Sequence, residues 1–103
     1  MTKVTRELLE NNVIEWAKEK NILKKENQFK QALKTGEEFG ELCSALLKGD
    51  ENKILDSIGD VEVCLTILKE QLGYEQDVPL ALAWNEIKDR TGQEVDGVFV
   101  KDE

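Results

Sequence analysis

The fold is decided by residues 28–73, with the sequence QFKQALKTGEEFGELCSALLKGDENKILDSIGDVEVCLTILKEQLG. Apolar residues recur here with the spacing of amphipathic helices, and Gly49 interrupts the pattern. Glycine is favoured just after the last helical residue. The sequence therefore predicts one helix from Gln28 to Lys48 and another from about Asn52 to Leu72, with Gly73 ending the second.

The two predicted helices differ in how their apolar residues are distributed. The first has a single apolar stripe, which consists of Phe29, Ala32, Leu33, Phe39, Leu42, Cys43, Leu46 and Leu47. The second is apolar around nearly its whole circumference, through Val61, Val63, Cys64, Leu65, Ile67 and Leu68. A helix of the second kind is typically buried between neighbours. Because the connection is short, we expect the two helices to pack antiparallel.

Two further helices flank this pair. A first helix is predicted from an N-cap at Thr5 to about Lys20. A fourth is predicted from an N-cap at Asp77 through about Arg90, where Gly92 ends it. The two outer helices would bring the number in the chain to four.

The C-terminal residues have a different pattern. Asp96-Gly97 followed by alternating valines predicts a turn and a short extended tail. With 103 residues, the chain is long enough for one core. We therefore expect residues 1–103 to form a single all-α domain of four helices with this tail.

The composition excludes several classes of protein. The net charge of −8 disfavours direct binding to nucleic-acid polymers and to anionic membranes. The N-terminal sequence contains no signal-peptide core and the chain no membrane-length apolar segment, so we expect a cytoplasmic protein. The chain has no histidine, and we expect its two cysteines, Cys43 and Cys64, to be buried thiols. Zinc sites and histidine-dependent nucleophilic catalysis are therefore disfavoured.

Acidic residues concentrate on one side of the second predicted helix. At 100° per residue, Glu37, Glu38 and Glu41 share a sector of about 100°. Asp56 and Asp60 lie one turn apart on the third predicted helix, and Asp60 adjoins its most apolar stretch. Antiparallel packing would bring these five carboxylates together. The alternative is that the acids of the second helix are simply its solvent-exposed face.

Clustered carboxylates repel one another unless a cation neutralises them. Carboxylate oxygens are preferred ligands of magnesium, which keeps several waters and commonly bridges to substrate phosphates. The pattern therefore favours a magnesium site, with manganese as an alternative. Such an ion would also allow an acidic protein to bind a nucleotide.

Two motifs carry a resemblance to a known family. Residues 31–42 (QALKTGEEFGEL) and residues 56–61 (DSIGDV) resemble the MazG-like all-α nucleoside triphosphate pyrophosphohydrolases, whose signature is E-E-x-x-E followed by E-x-x-D. The chain end, with NEIKDRTG at residues 85–92 and GVFVK at residues 97–101, is most similar to the small phage and prophage members. The likeness covers roughly residues 16–101.

The resemblance implies magnesium-dependent hydrolysis between the α- and β-phosphates of a nucleoside triphosphate, releasing the monophosphate and pyrophosphate. Glu38, Glu41 and Asp60 match the family's metal ligands. Glu37 and Glu38 are the candidate catalytic residues, Glu37 either orienting or deprotonating the attacking water or supporting a ligand.

The second motif departs from the family pattern at one position. Ser57 stands where the glutamate of E-x-x-D normally lies, and Asp56 is its neighbour. Either Asp56 takes over as a metal ligand or a metal-bound water fills the place.

Substrate contacts and assembly are further expectations. Lys34, Lys88 and Arg90 are candidates for phosphate contacts, and Asn85 for the base or sugar. Members of the family form dimers or tetramers in which helices from two subunits complete each site, so we expect a homodimer or homotetramer. Self-association would also explain why the third helix is apolar nearly all round.

Two other functions compete with this interpretation. A non-catalytic acidic protein that mimics DNA phosphates and occupies a nucleic-acid-binding partner would account for the charge. A phosphoribosyl-ATP pyrophosphohydrolase of related fold would use the same chemistry on another substrate. The concentration of acids at two motifs favours an enzyme over the DNA mimic.

Overall fold

A computed structural model describes residues 3–103, so Met1 and Thr2, the first two residues of the predicted domain, lie outside the described residues. Four helices and two strands follow in the order α1 (Arg6–Glu19), α2 (Gln28–Lys48), α3 (Glu51–Gln71), α4 (Val78–Ile87), β1 (Gly92–Val95) and β2 (Val98–Lys101). A short 3₁₀ turn precedes α2. The mainly helical fold predicted from the sequence is confirmed, with a small two-stranded sheet added to it.

The helix ends follow the capping residues of the sequence. The Thr5 hydroxyl accepts a hydrogen bond from the backbone N–H of Leu8 at 3.1 Å, which confirms the predicted start of α1. Gly49 adopts the left-handed conformation, with φ 68°, and ends α2. The Asp50 carboxylate accepts from the backbone N–H of Lys53 at 3.2 Å and begins α3 at once.

The helix α3 is the central element of the chain. It packs against α2 on one side and against α1 on the other. Gln31 of α2 donates a hydrogen bond to the carbonyl of Cys64 at 3.1 Å. Gln71 of α3 donates to the carbonyl of Ile22, after α1, at 2.8 Å. The prediction that this helix is buried between neighbours is therefore confirmed for the sides that α1 and α2 cover.

The apolar stripe predicted for α2 does not form a core within one chain. Among the described residues, the buried apolar side chains are Ala17, Ala45, Cys64 and Ile67. Large apolar side chains of α2 are instead exposed: Phe29, Leu33, Phe39, Leu46 and Leu47. Cys43 is also exposed, so the prediction of two buried thiols is wrong for this one. The reason is that α2 meets another helix along one side only.

The chain exposes far more surface than a folded monomer of its mass. Its accessible surface is 8323 Å², whereas a monomer of 11.7 kDa is expected to expose about 5,900 Å². The radius of gyration is 16.3 Å, against about 13 Å expected for a compact domain of this length. Despite the exposed apolar area, none of the helices within residues 3–103 is long and apolar enough to span a membrane.

The fourth helix ends earlier than the sequence predicts. It stops at Ile87 rather than near Arg90, where the Arg90 N–H closes a tight turn onto the carbonyl of Ile87. Gly92 does not end this helix but begins β1. A Cβ at Gly92 would collide with the Phe99 ring and the Val100 carbonyl, so the cross-strand contact explains this glycine.

The predicted extended tail is the second strand of a hairpin. The antiparallel register pairs Gly92 with Lys101 and Val95 with Val98. Both central residues of the turn have positive φ, 51° at Asp96 and 83° at Gly97, as a type I′ turn requires. The turn was therefore predicted correctly, but the strand before it was not predicted as a separate element, and its first residue, Gly92, was assigned to the helix end.

Candidate active site

The hydrogen bond from Gln31 to Cys64 sets the register of the α2–α3 interface. Seven residues further along α2 lies Glu38, and seven residues back along the antiparallel α3 lies Ser57. Both are buried, with exposed fractions of 8% and 0%. Asp60 lies one helical turn further along α3. The interface therefore contains a carboxylate at the level where the two sequence motifs meet.

Glu38 has one paired and one unpaired carboxylate oxygen. Its Oε1 lies 3.1 Å from Nζ of Lys34, whose side chain is 51% exposed. Its Oε2 is buried and has no hydrogen-bond partner among the described residues. The hydrogen bond to Glu38, together with the charge of Glu37 at 3.7 Å, raises the pKa of Lys34. Lys34 is therefore the cation that neutralises this part of the interface.

Among the five candidate carboxylates, Asp60 has a clearly shifted pKa. Burial raises the pKa of its carboxyl, and the negative charges of Asp56 and Glu38 raise it further. The positive charges of Lys53 and Lys34 oppose this increase. The charges of Glu38 on α2 and of Asp56 one turn earlier on α3 therefore both act on Asp60.

Ser57 and Asp56 have opposite environments. Ser57 is completely buried, and its hydroxyl oxygen has no hydrogen-bond partner within residues 3–103. Asp56 is exposed, although its charge still affects Asp60. The serine therefore occupies the inward-facing position of the second motif, and the aspartate lies at the edge of the interface.

The remaining acids of the first motif lie further out. The Glu37 side chain is 61% exposed. Glu41 is exposed and lines a cleft of about 320 Å³ whose walls include neither Asp56 nor Asp60. Within the described part of the chain, no three Asp, Glu or Cys side chains lie close enough together to hold a metal ion. The five carboxylates are thus divided between an inner group and an outer group.

The candidate substrate residues near the chain end lie apart from the acids. Asn85 is on α4, Lys88 and Arg90 follow it, and all three are exposed. The helix α4 makes no extended contact with another element of the described chain. The structure therefore brings only Lys34, of the four candidates, into contact with the acidic motif.

The sequence analysis gave no role to two residues of this interface, Lys53 and Thr35, and did not predict that Ser57 is buried. Lys53 reduces the effect of the acids on Asp60, and its spacing from Asp56 and Asp60 (i, i+3 and i, i+7) already placed it on the same face. The Thr35 hydroxyl donates to the Gln31 carbonyl at 2.8 Å and also reaches the thiol of Cys64. For Ser57, its position between apolar residues in the stripe of α3 was an available signal of burial.

The thiol of Cys64 belongs to the same interface. Burial raises its pKa, and the charge of Glu38 raises it further. A thiol of this kind stays protonated at neutral pH and is a poor nucleophile and a poor metal ligand. The chemistry of the interface therefore depends on its oxygen atoms.

Comparisons with known proteins give one informative match. A stretch of 60 residues is 43% identical to the "Uncharacterized 18.2 kDa protein in rep-hol intergenic region" of Haemophilus phage HP1. The match covers 58% of this chain and 37% of the phage protein, so the chain spans little more than a third of that relative. No protein-family model matches the sequence, and no solved structure matches it. The chain is thus similar to a phage protein.

Proposed function

We propose that this protein is a magnesium-dependent nucleoside triphosphate pyrophosphohydrolase of the MazG-like, phage-type group. It would cleave a nucleoside or deoxynucleoside triphosphate between the α- and β-phosphates and release the monophosphate and pyrophosphate. The two motifs that resemble this family support the proposal, as does the similarity to a phage protein. The residues of the two motifs lie on α2 and α3, the helices that form the α2–α3 interface.

The observation that carries the proposal is the unpaired Oε2 atom of Glu38. A buried carboxylate oxygen without a partner costs free energy, so it is normally paired, protonated or bound to a cation. The raised pKa of Asp60 has the same physical origin, because desolvated like charges are close together. Both features are costs for an inert interface and are expected in a cation site.

The carboxylate oxygens of the two motifs are ligands that a hard divalent cation prefers, but exposed side chains must turn inward before three of them meet. Glu38 and Asp60 would supply the inner carboxylates, and Glu41 and Asp56 would turn inward from exposed positions to join them. Lys34 would leave Glu38 as the ion binds, since its side chain is half exposed and free to rotate. The ion would neutralise phosphate charge and lower the pKa of a bound water.

The chain's own residues would then position the reactants. Glu37 would orient the attacking water or accept its proton from its exposed position one residue before Glu38. The displaced Lys34 would contact a phosphate, together with Lys88 and Arg90, while Asn85 would contact the base or sugar. Asn85, Lys88 and Arg90 lie on or just after α4. They can therefore contact a substrate bound at the acidic residues only if α4 packs close to those residues.

Self-association is part of the proposal. The exposed stripe of α2 requires a partner, and a second α2–α3 pair would complete a four-helix bundle around it. Such a homodimer, or a homotetramer made from two, would bury the apolar residues that one chain leaves exposed.

The test is a panel of canonical and damaged nucleoside triphosphates, with phosphoribosyl-ATP included, assayed with magnesium for monophosphate and pyrophosphate. We expect stoichiometric release of both products from at least one nucleotide, and none after Glu38→Gln. Release of inorganic phosphate instead, or turnover that survives Glu38→Gln, would contradict the proposal. Turnover of phosphoribosyl-ATP alone would assign the protein to the related histidine-pathway activity.

A non-catalytic acidic protein that mimics DNA is the second candidate. Its support is the net charge of −8 together with the exposure of Glu37, Glu41 and Asp56. The buried Glu38 does not contribute to such a surface. Competition with DNA for a DNA-binding partner, unaffected by Glu38→Gln, would favour this candidate over the hydrolase.

A further inference from the structure

A groove between α1 and α3 lies on the side of α3 that faces away from α2. It has a volume of about 510 Å³ and is lined mainly by apolar atoms. Leu9, Val13 and Trp16 form the α1 wall with the spacing i, i+4, i+7. An ion pair of 2.8 Å between Arg6 and Glu62 lies among its lining residues. The groove is separate from the proposed active site, whose acids face α2.

The helix α4 has an uncovered apolar face. Its sequence VPLALAWNEI contains one charged residue, and none of its residues is buried. Leu80, Trp84 and Ile87 form one face with the same i, i+4, i+7 spacing, and Leu80 is 75% exposed. An apolar helix face of this kind docks into hydrophobic grooves through such anchors.

The position of α4 is held by its connection to α3. Lys69 donates to the carbonyl of Gln76 at 2.8 Å, and Gln76 donates to the carbonyl of Thr66 at 2.9 Å. These bonds fix the loop before α4 against the end of α3. The helix is thus presented away from its own chain with its apolar face uncovered.

The exposed area agrees with what a stable dimer needs. The chain exposes 8323 Å², about 2,400 Å² more than a monomer of its mass should. A standard interface buries about 800 Å² per partner, and obligate homodimers bury more. The excess is therefore large enough for an exchanged helix in addition to a paired α2–α3 face.

We infer that α4 of one copy lies in the α1–α3 groove of a second copy, with the exchange made in both directions. The inference rests on the self-association in the proposed function and names the surface that it uses. Gly59 lines the groove, and a Cβ placed there meets nothing within 4 Å. The groove is thus open at this glycine, and the Cβ of a larger side chain would enter it without a clash inside its own chain.

Sedimentation equilibrium of the full chain over a range of concentrations tests the inference. Gly59→Leu fills the groove and Leu80→Asp places a charge on the docking face of α4. Each should weaken dimerisation by at least about tenfold. Leu82→Asp, on the opposite face of α4, is the matched control and should stay within threefold of the unmodified protein, roughly the scatter expected of non-hot-spot positions.

A mixture of Gly59→Leu and Leu80→Asp separates exchange between copies from other effects. The mixed dimer keeps one intact α4 and one open groove that match, so it should form more tightly than either variant alone. Dimers that persist in both variants would overturn the inference while leaving self-association intact. In a monomeric protein that carries Trp16→Phe, so that Trp84 alone fluoresces, a concentration-independent change in fluorescence on adding Gly59→Leu would show α4 docked on its own chain and would also overturn the inference. If the protein is monomeric and still hydrolyses nucleotides, the inference about α4 is wrong and the proposed activity stands.

Discussion

The α2–α3 interface and the α4–hairpin region reverse the usual distribution of polar and apolar groups. The interface buries Glu38, Ser57 and Gln71. In the other region, all residues from Leu80 to Lys101 are exposed, including Trp84. Burial of polar groups costs free energy unless they are paired, and exposure of large apolar groups forgoes hydrophobic stabilisation.

The difference shows which part of the chain is complete by itself. The half-buried Gln31 of α2 donates to the Cys64 carbonyl of α3, and the buried Gln71 of α3 donates to the Ile22 carbonyl just after α1, so the first three helices specify each other. The hairpin has a well-formed turn, whereas the predicted N-cap of α4, Asp77, makes no side-chain capping bond. Both elements have little packing surface from their own chain. In both regions the local sequence determines the helices and strands. Only α1, α2 and α3 also pack against one another within the described chain.

The largest expected effect distinguishes a functional interface from an inert one. Glu38→Gln keeps the size of the side chain and removes the charge, so nucleotide hydrolysis should fall by about 100-fold or more. Helical content, measured by circular dichroism, should be unchanged. The matched control is Glu15→Gln, at an exposed position of α1, which should retain activity. If both variants retain activity, Glu38 has no part in hydrolysis and the proposed active site is wrong.

The helices could be predicted well from the sequence because their signals are local. Thr5, Gly49 and Gly97 each act within a few residues, through capping bonds or positive φ, and all three predictions are confirmed. Gly92 shows the limit. Its role depends on Phe99 across the hairpin, a contact that a local pattern cannot reveal.

The candidate site could be predicted only at the level of helix faces. The 100° spacing identified the side of α2 that carries its acids, but burial depends on the register with α3. That register is set by the bond from Gln31 to Cys64, which joins residues 33 positions apart. Consequently the sequence could not separate the buried Glu38 from the exposed Glu37 and Glu41.

The next effect tests whether the polar contacts hold the three packed helices together. Gln71→Ala removes the donor to the Ile22 carbonyl, so the free energy of unfolding should fall by about 1–3 kcal/mol. Gln93→Ala, at an exposed strand position, is the control and should change it by less than about 0.5 kcal/mol. Chemical denaturation followed by circular dichroism measures both. Equal small effects would mean that the glutamine contact does not stabilise the fold.

A third prediction concerns Asp56 and Ser57. If Asp56 replaces the missing glutamate, Asp56→Ala should weaken magnesium binding about tenfold or more, whereas Ser57→Ala should not. Ser57→Ala also removes a buried hydroxyl that has no partner in the described chain, so it should leave the metal-free protein as stable or more stable. The measurement is the rise in melting temperature with magnesium, which corresponds to about 2.7 kcal/mol at 100 times the dissociation constant. Weakening by the serine change alone would assign the ligand position to Ser57 or to a water that it holds.

A smaller effect follows from the raised pKa of Asp60. Because this pKa lies above the ordinary value of 3.8, the native state binds more protons than the unfolded state in the range just above that value. Stability therefore falls as the pH rises through the native pKa, and it recovers on acidification. Asp60→Asn should remove this pH dependence and stabilise the metal-free protein at neutral pH by less than about 1 kcal/mol, since the group is partly solvated.

The same titration should act on metal binding with the opposite sign. Protons compete with the cation for Asp60, so the apparent magnesium affinity should decrease as the pH falls toward the raised pKa. Thermal melts with and without magnesium at several pH values measure both trends. If Asp60→Asn leaves the pH dependence of stability of the metal-free protein unchanged, burial and the neighbouring negative charges do not destabilise the ionised Asp60.

The smallest effect on the helices tests whether the two regions are independent within one chain. Gly92→Ala introduces a Cβ that collides with the Phe99 ring and the Val100 carbonyl, so the hairpin should lose its pairing. Because β1 and β2 pair with each other and make no extended contact with the helices of the described chain, helix unfolding should change by less than about 0.5 kcal/mol in the dilute monomer. Amide exchange of the paired strand residues measures the first effect and circular dichroism melts the second. A large loss of helix stability at low concentration would show that the hairpin supports α1, α2 and α3 directly. If that loss appears only at concentrations where copies associate, the hairpin stabilises the helices of the second copy and not those of its own chain.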